Sequence, residues 1–478
     1  MSSLYEKVHS LAQKIEQNNN WRQKESFNLI PSETTPSALV KMCEISDPSG
    51  RYAEHRTMKG EEIYFYQGTD FIREVEEEVR RELAQFFGCS EVELRPISGQ
   101  MANEVVFKGL LRFLNRNRPQ GQPSRRIKSV MNNALTKGGH LSSQPMGALF
   151  NFVEENPETG KENVINFPVL KENPYKPDLD LLAEMLEQHR PELVIFGKSM
   201  FIYQEPVKFV FEIVKDWEPR PVIMYDMAHV LGLYGVFQVP LEEGADVITG
   251  STHKTFFGPQ RGVVAGNFPK GSEFRRLWLD IKSRAFPGST SNHHLGTLLA
   301  LLMAVYEMSE FKEDYQKQVQ NNAKAFAKAL KDKGIAVEGD EKDSFTETHQ
   351  VLIRVRSYGL GQEIARRLEE NNIVTNYQAL PDDETFLKSS GIRMGVQEMT
   401  RFGMLEKDFD ILAGLMADVI IRDKKVKQEV KKFRQNFLQM KFCLSLKEAI
   451  PLVSKIIKSV FPYPDFTGLF IQNLQKGV

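Results

Sequence analysis

Cysteine is scarce in this chain of 478 residues, which has only Cys43, Cys89 and Cys443. Their scattered spacing provides neither a disulfide framework nor a cysteine metal cluster, and it favours a reducing compartment such as the cytoplasm. The sequence also has no apolar run long enough to span a bilayer. Its first residues carry both acidic and basic groups, unlike a signal peptide. We therefore predict a cytoplasmic protein without a membrane partner.

An excess of charge of either sign is also missing. Lysine and arginine number 62 against 63 acidic residues, so the net charge is -1 and gives no electrostatic case for binding nucleic acid. The hydrophobic content of 41% and charged content of 26% are typical of a globular protein. The chain is longer than a single hydrophobic core usually accommodates, so we expect two domains plus extensions.

The stretch 245–262 places a lysine directly after an apolar strand. Val247 and Ile248 begin the strand, a run of hydroxyl residues follows, and His253 and Lys254 come next. Burial there would lower the pKa of the Lys254 amine and make it a usable nucleophile. Covalent attachment of pyridoxal phosphate requires such an amine. Taken alone, however, the stretch is also compatible with a surface lysine in a glycine-rich loop.

A second stretch, 28 residues upstream of Lys254, favours the hypothesis that this lysine binds pyridoxal phosphate. The apolar run Val222–Tyr225 ends at Asp226, and His229 follows. A carboxylate at a strand end can keep the pyridinium nitrogen of this cofactor protonated, although such an aspartate is more often a helix N-cap. The two stretches together resemble the serine hydroxymethyltransferase family, pyridoxal-phosphate enzymes of the aspartate-aminotransferase fold. The chain is identified as a divergent member of that family.

The resemblance extends over about residues 20–440 and implies roles for further residues. Catalytic roles are implied for Lys254, Glu54, Tyr66 and His229. Cofactor binding is implied for Tyr52, Ser98, Gly99, Gln100, His140, Ser199, Asp226, His229, His253, Lys254 and Gly288, and substrate binding for Ser32, Glu54, Tyr66 and Arg393. Taken singly, each could instead be an ordinary loop, cap or core residue.

Arg393 also has a physical argument of its own. It interrupts the apolar strand Gly391–Gly395, where a guanidinium is costly unless an anion pairs with it. A bidentate grip on an amino-acid α-carboxylate would provide that anion.

Departures from the family concentrate in the parts that bind folate or close the dimer. Phe65 replaces a tyrosine and Gln378 an asparagine, and Ser291–His294 stands where glycines are usual. A separate departure is Gln100, which replaces a serine in the turn that the family uses to bind the cofactor phosphate. About four residues are also gained between Glu54 and Tyr66 by motif spacing. His293 and His294 suggest a metal, but no further ligand follows at a suitable spacing, so we expect no metal site.

The fold class that we predict is α/β. Helices alternate with apolar strands from about residue 85 to 265, which favours a mostly parallel, seven-stranded-type sheet covered by helices. We expect an N-terminal helical arm (1–48) with an apolar stripe, a large cofactor-binding domain (49–305) and a small C-terminal α+β domain (306–478). The resemblance implies a homodimer or a dimer of dimers with shared active sites.

The expected reaction is reversible Cα–Cβ cleavage of a β-hydroxy-α-amino acid, serine to glycine with one-carbon transfer. Two alternatives for the acceptor follow from the departures: tetrahydrofolate, as in the family, or a folate-independent aldolase or transaldolase reaction on a larger β-hydroxy amino acid. An aminotransferase or decarboxylase of the same fold is the further rival. The partner is in each case a small-molecule amino-acid substrate.

Overall fold

The computed structural model describes residues 3–58, 61–119, 121–461, 463 and 465–475. The strands in chain order are β1 (Phe27–Asn28), β2 (His55–Met58), β3 (Glu61–Tyr64), β4 (Glu91–Glu93), β5 (Val130–Asn132), β6 (Val164–Asn166), β7 (Leu193–Phe196), β8 (Val222–Asp226), β9 (Val247–Ser251), β10 (Gly262–Gly266), β11 (Ala336–Val337), β12 (Gln350–Arg354), β13 (Ile373–Val374), β14 (Asn376–Gln378) and β15 (Gly391–Gly395).

The α-helices in chain order are α1 (Leu4–Asn20), α2 (Ala38–Glu44), α3 (Asp70–Phe87), α4 (Gly99–Asn115), α5 (Leu179–His189), α6 (Val207–Val214), α7 (Arg275–Ala285), α8 (Leu295–Glu310), α9 (Lys312–Asp332), α10 (Gly361–Glu370), α11 (Gln397–Arg401), α12 (Glu406–Ile420), α13 (Lys427–Arg434), α14 (Leu446–Val460) and α15 (Phe466–Gln475).

A seven-stranded sheet of order β4-β10-β9-β8-β7-β5-β6 dominates the first half of the chain. Strand β10 is antiparallel to both of its neighbours, and the other strands share one direction. The predicted mostly parallel sheet is therefore confirmed.

Alternation along the strands explains why helices cover both faces. In β7, Leu193 and Ile195 pack with α4 and α7, whereas Val194 and Phe196 belong to the larger core on the other face. Side chains of a strand alternate between faces, so a strand that is apolar throughout must be buried on both. Strands β7, β8 and β9 are parallel, so their carboxyl ends meet at one edge of the sheet. Asp226 is the last residue of β8, and Ser199 and Lys254 lie just after β7 and β9.

A second, antiparallel sheet of order β11-β12-β15-β14 lies in the C-terminal part of the chain. Helices α9 and α10 pack with it, and α12 packs against these two helices. This α+β unit confirms the predicted fold class, and β15 has the expected bounds. Helix α12 ends at Ile420, and α13, α14 and α15 follow it. The domain boundaries at residues 48 and 305 stay predictions.

The N-terminal segment contributes to both parts of the molecule. Strand β1 pairs in parallel with β13, and Thr34 after it contacts the chain around Lys254. Helix α1 behaves differently, because none of its residues is buried. Its predicted apolar stripe, Leu4 to Ile15, is 51% to 79% exposed.

A search of the described residues for helices long and apolar enough to cross a bilayer identified none.

Candidate active site

Lys254 lies just beyond β9 in a buried position and is only 9% exposed. Desolvation lowers the pKa of its amine to about 8, with Asp226 opposing this effect and the positive charge of Arg393 adding to it. The backbone around it is fixed by Thr34, whose Oγ1 donates to the Lys254 carbonyl at 2.6 Å and whose N–H donates to the His253 carbonyl at 3.0 Å. A substantial fraction of this amine is therefore uncharged near neutral pH.

Asp226 ends β8 and is surrounded by hydrogen-bond donors. Its Oδ2 accepts from Asn103 Nδ2 at 2.7 Å and from Ser142 Oγ at 3.0 Å, and it is also paired with Nδ1 of His140. Its Oδ1 accepts from the Ala228 N–H at 3.0 Å. Burial opposes ionisation, but the charge and hydrogen bond of His140 and the other donors lower the pKa of the carboxyl below its ordinary value. Asp226 is therefore a buried, ionised carboxylate at this edge of the sheet.

His229 stands edge-on to His140, with 5.6 Å between ring centroids. Burial, followed by the charges of Lys254 and Arg393, lowers its pKa well below the ordinary value. Its Nδ1 lies 3.2 Å from the amide nitrogen of Gln350. A neutral ring that accepts at Nδ1 carries its proton on Nε2.

His253 is also neutral at physiological pH, because burial lowers its pKa to about 4. Its buried Nδ1 lacks a hydrogen-bond partner in the part of the chain described here.

Arg393 points from β15 of the smaller sheet toward the same edge. Its Nη1 donates to the Ser199 carbonyl at 2.7 Å and its Nε to Asn376 Oδ1 at 3.3 Å. Desolvation lowers its pKa to about 10. Among the described residues no carboxylate forms an ion pair with it, so the predicted need for an external anion persists.

The start of α4 offers free backbone N–H groups beside the end of β9. Ser98 caps the helix by accepting from the Met101 N–H at 3.1 Å, while Gln100 is exposed. A Cβ on Gly99 would overlap Ser251 Oγ, so this close approach requires glycine. A helix N-terminus of this kind suits a phosphate.

Ser199 and Ser32 lie next to these groups. Ser199 Oγ donates to the Gly139 carbonyl at 3.2 Å, which fixes the turn that carries His140. Ser32 lies between Pro31, whose carbonyl is 3.1 Å from His349 Nε2, and the Thr34 contact with Lys254.

A second group of predicted residues lies apart from Lys254. Tyr52 and Tyr66 flank the β2–β3 hairpin, are 48% and 43% exposed, and place their ring centroids 5.3 Å apart. Glu54 precedes the hairpin, and its carbonyl accepts from the Phe65 N–H at 2.9 Å. Within the described ranges no hydrogen bond, ion pair or ring contact joins Tyr52, Glu54 or Tyr66 to Lys254 or Asp226.

Gly288 lies on a further loop, where its carbonyl accepts from Lys108 Nζ at 3.3 Å. Gln378 lies on β14, next to the strand of Arg393.

Sequence reasoning missed Asn103, Ser142, Thr34 and Gln350. Asn103 had a usable signal, because it lies one helical turn after Gly99 and so on the same face of α4. The other three approach from remote segments or loops, and no local pattern marks them.

These residues fit pyridoxal phosphate. The site contains a buried amine of lowered pKa, which suits an aldehyde, and an ionised buried carboxylate, which suits a pyridinium nitrogen. The glycine-dependent helix start and the His253 nitrogen, which lacks a partner among the described residues, suit a phosphate.

Comparisons with known proteins agree with this geometry. The family model described as serine hydroxymethyltransferase matches residues 5–416. A serine hydroxymethyltransferase of Pyrobaculum calidifontis is 39% identical over 428 residues, which cover 89% of this chain and 92% of that protein. One from Archaeoglobus fulgidus is 38% identical over 436 residues, covering 89% and 91%.

A similar solved structure is an L-threonine transaldolase from Pseudomonas fluorescens in its internal aldimine state. It has a TM-score of 0.79 and 28% identity, and the match covers 95% of this chain and 98% of that one. With the family model spanning most of the chain, the protein belongs to the serine hydroxymethyltransferase family of pyridoxal-phosphate enzymes.

Proposed function

We propose that this enzyme interconverts serine and glycine by reversible cleavage of the Cα–Cβ bond, with Lys254, Asp226 and Arg393 as its central residues. The observation that carries the proposal is the desolvated guanidinium of Arg393, which has no carboxylate partner among the described residues. Its positive charge is close enough to Lys254 to contribute to the lowered pKa of that amine. An amino-acid α-carboxylate bound there would bring the α-amino group toward Lys254.

Bound pyridoxal phosphate would supply an electron sink for the carbanion that forms at Cα. Lys254 would hold the cofactor covalently, and Asp226 would keep a proton on its ring nitrogen. The start of α4 at Ser98, Gly99 and Gln100 would bind its phosphate together with His253. His140, Ser199 and His229 would line the ring.

Cleavage requires a base for the substrate hydroxyl, and we assign that role to Glu54. As the hydroxyl proton passes to this carboxylate, the oxygen forms a double bond to Cβ, the Cα–Cβ bond breaks and its electron pair stays at Cα. Cβ leaves as formaldehyde, which the one-carbon acceptor would take up, and a proton added to Cα gives glycine. Tyr66 and Ser32 would orient the substrate.

We also propose that the enzyme is a homodimer, or a dimer of dimers, with shared sites. Tyr52, Glu54 and Tyr66 form an exposed group that is separate from Lys254 in one chain, and helix α1 exposes its apolar stripe. A second copy that covers these surfaces would place Glu54 and the two tyrosines over its partner's Lys254. Gly288 would reach the cofactor phosphate from the same side.

Subunit complementation tests shared sites directly. The variants Lys254→Ala and Glu54→Gln should each be inactive as pure proteins. If each site takes Lys254 from one chain and Glu54 from the other, random re-pairing after mild dissociation should restore about a quarter of wild-type activity. No recovery in mixtures that sedimentation shows to contain mixed dimers would place both residues in one chain's site.

Two candidate reactions differ in the acceptor of the one-carbon unit. In one, tetrahydrofolate accepts it, and the other is independent of folate. Phe65 and Gln378 differ from the residues that the family resemblance leads us to expect at the folate slot, and the similar L-threonine transaldolase favours a folate-independent reaction on a larger β-hydroxy amino acid. Losing one hydroxyl at Phe65 would cost only about 1 kcal/mol. We therefore propose folate-dependent serine cleavage as the main reaction.

Glycine release from serine and from threonine, each with and without tetrahydrofolate, separates the two candidates. Strong folate stimulation with serine supports the main proposal. Folate-independent cleavage that prefers threonine would support the alternative, and keto-acid production from serine would point to an aminotransferase.

A further inference from the structure

Four potential metal ligands meet at the base of the β2–β3 hairpin, outside the Lys254 cleft. They are His55 and Glu62 on the hairpin, Glu76 on α3, and His293 on the loop before α8. The side chains of His55, Glu76 and His293 are 1% to 2% exposed, and that of Glu62 is 23% exposed. Such a buried collection of nitrogen and carboxylate ligands is unusual unless something compensates it.

The orientation of His55 identifies what faces the carboxylates. Its Nδ1 lies 3.1 Å from the Ala53 carbonyl and donates its proton there. The other ring nitrogen, Nε2, faces Glu76 Oε2 at 3.4 Å and Glu62 Oε2 at 3.9 Å. In the neutral ring this Nε2 is an acceptor, so three electron-rich atoms face one another. A cation between them would remove the conflict.

The separations between these atoms suit a shared cation better than direct hydrogen bonds. One ligand atom each from His55, Glu62 and Glu76 lie within 4.8 Å of one another. Ligands about 2.1 Å from a tetrahedral zinc ion lie about 3.4 Å apart. The distances from His55 Nε2 are at or slightly above that value, so a small contraction would complete the coordination. His293 pairs through Nε2 with the other oxygen of Glu76, Oε1, and so orients this ligand from outside the coordination sphere.

The surrounding residues resemble an outer shell. Tyr64 donates to Glu76 Oε2 at 2.8 Å, and Arg80 donates to Glu76 at 3.1 Å and to Glu62 at 3.3 Å. Arg80 neutralises one of the two carboxylate charges and leaves one unmatched. These hydrogen bonds hold the Glu76 and Glu62 carboxylates in place opposite His55.

We propose that His55, Glu62 and Glu76 bind one divalent transition-metal ion, with Zn²⁺ the best match to one imidazole and two carboxylates and with water completing its coordination. The Ala53 carbonyl fixes the tautomer of His55, as outer-shell acceptors do in metal sites. The ion would fasten the hairpin to α3, and the pair between His293 and Glu76 would connect α3 to the loop before α8. Because Glu54 directly precedes the hairpin and Tyr66 follows it, the site holds both in place.

This inference does not depend on the proposed reaction, so its test measures metal and stability. Full-length enzyme without a histidine tag is purified with its cofactor, and bound metals are counted by inductively coupled plasma mass spectrometry. We expect about one ion per chain, as one site provides. His55→Gln should lower that content at least tenfold. His189→Gln is the matched control, because this histidine is exposed at the end of α5 and should leave the content unchanged.

A second measurement uses only the wild-type enzyme and so decides the matter even if the variants fail to fold. After dialysis against EDTA, stoichiometric Zn²⁺ should raise the melting temperature by several degrees, since a ligand of the folded state stabilises it. Two results together would overturn the proposal. One is a metal content below 0.1 ion per chain after purification, about a tenfold shortfall. The other is an unchanged melting temperature when Zn²⁺, Mn²⁺ or Co²⁺ is added.

Discussion

Arg393 donates a hydrogen bond from Nη1 to the carbonyl oxygen of Ser199 over 2.7 Å. This bond ties the smaller sheet, through β15, to the turn after β7 at the ligand edge of the larger sheet. The position of the guanidinium relative to Lys254 is therefore set by contact between the two sheets. Both sheets must be in place before the site can grip a carboxylate.

Replacing Arg393 with lysine should impair substrate binding far more than folding. A lysine keeps the charge but cannot form a bidentate pair with a carboxylate. We expect the KM for serine to rise about 100-fold, which corresponds to about 2.7 kcal/mol. Arg354→Lys on the adjacent strand is the control, because Arg354 bonds to Asp382 and Glu338 instead. Steady-state kinetics that give the two variants equal KM values would contradict the assignment.

The lowered pKa of Lys254, about 8, predicts the pH dependence of cofactor attachment. Only the uncharged amine reacts with an aldehyde, so the attachment rate in cofactor-free enzyme should rise about tenfold per pH unit below pH 8. It should then level off, whereas an ordinary lysine would continue to gain reactivity to above pH 10. Stopped-flow absorbance, with Nα-acetyllysine as the reference amine, measures both profiles.

Asp226→Asn should separate the charge of this residue from its shape. The amide keeps the size of the carboxyl group but cannot hold a proton on the cofactor nitrogen, and we expect kcat to fall at least about 100-fold. Asp246→Asn is a matched control, since Asp246 is another largely buried carboxyl, 11% exposed and bonded to Arg220 at the opposite end of β9. It should lower the melting temperature while sparing activity per folded molecule. Equal kcat losses in both variants would argue against a specific role.

The lowered pKa of the Asp226 carboxyl also predicts how the stability of the folded enzyme depends on pH. The folded pKa of Asp226 is depressed, so its contribution is fully present above the unfolded value of 3.8 and is lost as pH falls through the folded value. In cofactor-free enzyme, the wild type should lose melting temperature below about pH 4 more steeply than Asp226→Asn. Differential scanning calorimetry from pH 3 to 7 compares the two slopes.

Gly99 provides a test of packing at the proposed phosphate site. Alanine there would overlap Ser251 Oγ but would lie an ordinary 3.4 Å from Ser251 Cβ. Gly99→Ala should therefore cost about 1–3 kcal/mol of unfolding free energy. Adding Ser251→Ala should recover most of this loss, and urea denaturation of the two single variants and the double variant measures the coupling. Purely additive effects would show that the strain lies elsewhere.

The sequence by itself determined the fold class and the central residues of the candidate site. Apolar runs separated by helices specify a parallel sheet, and parallel strands bring their carboxyl ends to one edge. Asp226 and Lys254 follow two such strands, so their meeting could be deduced from chain order. Arg393 could be recognised from the sequence because it is a charged residue within an apolar strand.

Only the tertiary structure decided which remote residues complete these groups. Asn103 and Ser142 reach Asp226 across 123 and 84 residues of chain. Glu76 and His293 are 217 residues apart, and no local spacing could pair them. Their meeting depends on how α3, the hairpin and the loop before α8 pack, and packing is set by the summed burial of many side chains. A periodic pattern records which face of an element is buried, but not which distant element covers it.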